Sequence, residues 1–106
     1  MKSADLHALK SFLSGYFHED WEAEASEPDK VIAHYMASKP SPNTVGMIVA
    51  QIDQYLVNAG DDLNIEKSLL LDFGCYYLPS ADGLGARNWL NHVAKQLQNT
   101  DGGMDL

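Results

Sequence analysis

The stretch YFHEDW, residues 16 to 21, places an imidazole and two carboxylates side by side between aromatic rings. Imidazole and carboxylate serve as metal ligands and as general acids and bases, so His18, Glu19 and Asp20 are candidates for a small metal-dependent hydrolytic centre. Their adjacency works against convergence on one compact site. The chain has no HExxH, no CxxC and no paired Cys/His spacing, and ADGLG at 81–85 lacks the lysine and the preceding strand of a phosphate loop. A nucleophile, base and orienting group cannot be read from spacing either. His7, His34 and His92 stand singly at helical positions. The expectation is therefore no metal, no cofactor and no small-molecule substrate.

The acidic residues carry more information. Between Glu19 and Asp29 lie Glu19, Asp20, Glu22, Glu24, Glu27 and Asp29 with no Lys or Arg among them. A one-sign cluster costs self-repulsion, so it marks either a well-solvated helix entry or a contact for a cationic partner. Asp61 and Asp62 form a smaller cluster, equally suited to capping a helix. The whole chain carries 15 Asp and Glu against 7 Lys and Arg, a formal net charge of -8. Such a field repels phosphate backbones and draws in basic proteins, so a basic protein is the expected partner and direct nucleic-acid binding is not. Tyr76 and Tyr77 precede Pro79 in a turn-rich stretch, where adjacent side chains point differently. One belongs to the core, and the other, taken as Tyr77, is a candidate anchor for a partner. Asp82 and Arg87 are placed to form a local ion pair.

These residues must be positioned by helices. Leu6, Leu9, Phe12, Leu13, Tyr16 and Phe17 recur at helical spacing, which predicts a first helix over about 4–17, capped by Ser3 with Asp5 in its first turn. Residues 18–25 then read as a connection carrying Trp21. SEPD predicts a second helix, with Ser26 as cap and Pro28 and Asp29 in the first turn, ending near Ser38 before Pro40 and Pro42. Ser41-Pro42 opens a third along Val45, Ile48, Val49, Ile52, Tyr55 and Leu56. Asp61, Asp62 or Asn64 can cap a fourth through Ile65, Leu69 and Phe73, ending at Gly74. Trp89, Leu90, Val93 and Leu97 define a fifth over about 86–98, with residues 100–106 as a flexible tail. The expected fold is all-α, a single-domain compact bundle of about five helices.

At 106 residues one hydrophobic core is the natural size, and the single cysteine, Cys75, rules out an intrachain disulfide framework. MKSADLHALK lacks the apolar stretch of a secretory leader, and no run approaches the length of a membrane span, so a cytoplasmic location without membrane association is expected.

The order FLSGYFHEDW, then two helices, then GCYYLPSADGLGARNWLNHV resembles the immunity proteins of bacterial contact-dependent growth inhibition (CDI) systems, in particular a small helical family with a YFHxDW signature. The likeness runs from about residue 6 to residue 98. It implies a non-enzymatic function: binding and neutralising the C-terminal toxin domain of a cognate effector, a nuclease in many such systems, including ones that cleave transfer RNA. It also implies that shared motif residues are scaffold: Tyr16, Phe17, His18, Asp20 and Trp21 in the first motif, Tyr76, Pro79, Ser80, Asp82, Gly83 and Trp89 in the second. Toxin contact is then expected at Glu22, Glu24, Glu27 and Asp29, at Asp61 and Asp62, and at Tyr77. A helical adaptor unrelated to toxins is the other non-enzymatic possibility.

Overall fold

A computed structural model describes residues 6–102, apart from the side chains of Glu24 and of residues 99–102. Ser3, Asp5 and residues 103–106 lie outside the described residues. Five helices of ten residues or more form the bundle: α1 (His7–Tyr16), α3 (Pro28–Ala37), α4 (Pro42–Val57), α5 (Asp62–Leu71) and α6 (Ala86–Gly102). A single turn, α2 (Trp21–Glu24), lies within the expected connection, and a 3₁₀ turn (Pro79–Asp82) lies in the loop before α6. No strand occurs among the described residues.

The apolar stripes meet where periodicity places them. Leu9 and Leu13 of α1, Ile48 and Ile52 of α4, and Leu90, Val93 and Leu97 of α6 are fully buried in one core. Helix α6 packs against α3, α4 and α5, while α1 lies on α3 and α4. Burial of a large apolar side chain stabilises by about 1.5–3 kcal/mol, so this shared interior outweighs any single polar contact.

Local chemistry sets the helix starts. Ser41 Oγ accepts the Thr44 N–H at 3.1 Å, and Asp61 Oδ1 accepts the Asn64 N–H at 2.9 Å. Helix α3 departs from expectation: Glu27, not Ser26, is the boundary residue and makes no side-chain cap, because Pro28, with fixed φ and no N–H, takes the first helical position. Helix α5 stops at Leu71 rather than Gly74, and α6 continues through Gly102 past the expected end near 98.

Helix α1 opens at Leu6 without a side-chain cap of its own. Instead, Gln51, the buried polar residue in the middle of α4, accepts the buried Leu9 N–H through Oε1 at 2.9 Å. A side chain 42 residues away therefore satisfies one of the first-turn donors that a helix leaves open. Replacing Gln51→Met should keep the volume and strand that donor, lowering stability by about 1–3 kcal/mol in chemical denaturation. Unchanged stability would show that the bond is dispensable.

Candidate partner-binding site: an acidic groove

The YFHEDW corner is built as scaffold. Phe17 is fully buried, Trp21 is buried and Tyr16 is half-buried. The His18 Nδ1 accepts the Asp20 N–H at 3.0 Å, and the His18 carbonyl accepts the Trp21 N–H at 3.0 Å, so the imidazole closes the turn that starts α2. Glu19 and Asp20 are exposed, and no group of three His, Cys, Asp or Glu side chains among the described residues is arranged to hold a metal ion.

The second motif docks directly on the first. The Tyr76 N–H donates to the Phe17 carbonyl at 2.7 Å. Next to this bond, Phe17, Trp21, Tyr77 and Trp89 form one aromatic cluster, with Phe17–Trp89 edge-to-face at 5.3 Å, Trp21–Tyr77 edge-to-face at 5.6 Å and Tyr77–Trp89 at 4.9 Å. The Trp89 indole nitrogen is buried without an acceptor among the described residues.

This geometry corrects the expectation for the tyrosine pair. Tyr77 is 3% exposed and its hydroxyl donates to Asp82 Oδ2 at 2.8 Å, whereas Tyr76 is 48% exposed. Extended backbone alternates its side chains, and the apolar cluster takes Tyr77. Tyr77 therefore cannot offer a ring to a partner without unpacking the core. The proposed Asp82–Arg87 pair is also replaced. Asp82 serves Tyr77, while the Arg87 guanidinium donates to the carbonyls of Leu56 at 3.0 Å and Gly60 at 2.9 Å, satisfying the end of α4.

Asp61 and Asp62 are likewise committed to the fold. Asp61 caps α5, and Asp62 Oδ1 accepts the Arg87 N–H at 3.0 Å in the first turn of α6. A Cβ on Gly85 would stand 2.7 Å from Asp62 Oδ2, so the carboxylate would have to shift from its present seat at the helix start if a side chain were added there. In the loop, Glu66 accepts both the N–H and the hydroxyl of Ser80 at 2.9 Å, Pro79 is buried, and Gly83 closes the 3₁₀ turn at φ 76°. Glu66 and Gln51 were missed in the sequence, and Arg87 was given the wrong partner, because no local spacing marks a polar group whose partner is distant.

Over the aromatic cluster runs a groove. Two clefts of about 310 and 300 Å³ share Glu27, Pro28, Tyr77 and Asp82. The first adds Glu22, Tyr76 and Leu78; the second adds Asp29, Leu84 and His92. Four carboxylates, from Glu22, Glu27, Asp29 and Asp82, thus line a surface to which no Lys or Arg contributes. Asp29 Oδ1 accepts from His92 Nε2 at 3.0 Å, which fastens α3 to α6 at one end. Glu22 and Glu27 are exposed. Glu24 lies at the end of α2, and its side chain is outside the described residues. The fold thus brings Glu22, Glu27 and Asp29 to one groove and leaves Asp61 and Asp62, both exposed, at the starts of α5 and α6.

Residues 5–97 match the CdiI immunity protein family. The chain belongs to that family. It is an immunity protein and not an enzyme, which sets aside both the hydrolase and the unrelated adaptor. No curated protein matches it. In fold it is similar to a chain of the crystal structure of a CdiA-CT/CdiI complex from Y. kristensenii 33638, with 26% identity and a TM-score of 0.77 over 86% of this chain and 91% of that one. No described helix is long and apolar enough to cross a membrane.

Buried ionisable groups under the groove favour their neutral forms. Burial pushes the Cys75 thiol from 9.0 up to about 12, and burial followed by the bond to Asp82 raises the Tyr77 phenol above its ordinary value of 10.0. The folded chain retains protons that the unfolded chain releases, so this stability is complete below about pH 9 and declines as pH rises above it. Urea denaturation between pH 8 and 11 should show that decline, with a smaller slope above pH 10 in Tyr77→Phe. An identical slope in the variant would remove Tyr77 as a source.

Proposed function

We propose that this CdiI-family chain neutralises the C-terminal toxin domain of its cognate CDI effector by covering a basic surface of that domain with the acidic groove. The toxin is read as a nuclease and the encounter as cytoplasmic. The observation that carries the proposal is the groove itself, four carboxylates with no Lys or Arg on a frame made from both sequence motifs. A nuclease must gather cations to hold phosphate, and carboxylates in fixed positions can take the place of the nucleic acid. The net charge of -8 adds a long-range attraction to the same partner. The related fold in a CdiA-CT/CdiI complex supports the toxin domain as the partner class.

The test is co-expression with the toxic domain encoded immediately upstream, followed by co-purification and a nuclease assay of that domain with and without this protein. A stable complex that silences cleavage is expected; two folded proteins that do not associate would overturn the proposal. Reversing Glu22→Lys and Glu27→Lys together should slow association by about tenfold or more at low salt and flatten its salt dependence. An unchanged association rate would take this face out of the interface while leaving immunity itself standing.

A further inference from the structure

Within that toxin-binding reading, on which this inference rests, the structure points to the Tyr76 end of the groove as the seat for an arginine side chain of the toxin. We propose that one guanidinium enters between the exposed Tyr76 ring and the carboxylates of Glu22 and Glu27.

The ring is available and its backbone is held. Tyr76 is 48% exposed, yet its own N–H is bonded to the Phe17 carbonyl at 2.7 Å and its neighbour Tyr77 is packed in the aromatic cluster. A partner meeting this ring finds its backbone already in place, so the ordering cost falls on the two side-chain torsions alone. Leu78, 39% exposed, lines the same cleft and adds apolar area beside it.

The carboxylates select the charge. Glu22 and Glu27 line this cleft and have no hydrogen-bond or ion-pair partner among the described residues, whereas Asp82 serves Tyr77 and Asp29 serves His92. An apolar side chain inserted here would desolvate two carboxylates without compensation, and an anion would be repelled. The N-terminus of α3 at Pro28 opposes a cation with about half a positive charge, an effect confined to the first turn. Two full carboxylate charges outweigh it. Between the two cations, an ammonium is a compact, strongly hydrated point charge. A guanidinium is planar, stacks on an aromatic face and offers a fork of donors to more than one carboxylate, so the combination of ring and carboxylates favours arginine.

The cleft, about 310 Å³, sits at the small end of the range of about 300–1,000 Å³ typical of small-molecule sites. It continues into the second cleft through the residues they share, as suits a side chain projecting from a protein surface.

The experiment measures binding of the purified cognate toxin domain to wild type, Tyr76→Ala, Tyr76→Phe, Glu22→Gln/Glu27→Gln and the control Leu71→Ala, an exposed apolar residue outside the groove. Tyr76→Ala should dissociate about 10- to 100-fold faster at unchanged thermal stability, with Tyr76→Phe close to wild type and the control unaffected. Combining Tyr76→Ala with the double glutamine variant should cost less than the sum of the two, since both act on one group. A photo-crosslinking residue at position 76 should attach beside an arginine of the toxin, and Arg→Lys there should weaken binding. If the complex forms and Tyr76→Ala binds as wild type, or the crosslink maps to a segment without arginine, the arginine seat falls and the acidic face survives. If wild type forms no complex, both fall together.

Discussion

The hydrogen bond from the Tyr76 N–H to the Phe17 carbonyl is the contact on which the acidic groove depends. It joins the end of α1 to the loop before α6 and brings Tyr77 against Phe17, Trp21 and Trp89. Aromatic pairs of this kind contribute about 0.5–1.5 kcal/mol each beyond the area they bury, and this cluster has several pairs within one small region. The groove is the outer side of the same junction. Its floor is aromatic and its rim acidic because the two motifs and the start of α3 meet there.

Much of this was legible in the sequence. The apolar stripes of α1, α3, α4 and α6 could be read from period alone, since burying one face is the dominant constraint on such helices. Ser41 and Asp61 were legible as caps because an N-cap needs only its own side chain and the next turn. Long-range polar contacts were not legible. Gln51 lies among the apolar positions of α4 and looks like an interruption until Leu9 arrives. Asp62 read as a cap for α5 or a contact for the toxin, but its carboxylate meets the start of α6, and Arg87 beside it turns to the end of α4 instead of Asp82. Periodicity tells which face is inside, not which polar group will find a distant partner. The tyrosine pair failed for a related reason: alternation says that one ring goes in, while only the position of Trp21 and Trp89 decides which.

The acidic run shows how sequence and fold divide the information. Glu22, Glu27 and Asp29 were legible as a cluster, but Asp82, some fifty residues later, was legible only as part of a scaffold motif. The folded chain gives Asp82 both roles, holding Tyr77 with one oxygen while its residue lines the groove. Scaffold and groove lining thus share residues at this edge. In the proposed complex a substitution there acts on stability and on recognition together, while Tyr76, exposed and bonded to Phe17 only through its backbone, would act on recognition with little effect on stability.

The Gln51 bond affects the dynamics of α1. A helix end with a local cap can fray by itself, since cap and donor move together. In α1 the acceptor belongs to another helix, so freeing the Leu9 amide requires α1 and α4 to separate locally. Hydrogen exchange at Leu9 would then proceed through a larger cooperative opening than position in the chain implies, and a segment near the N-terminus is drawn into the slow-exchanging interior.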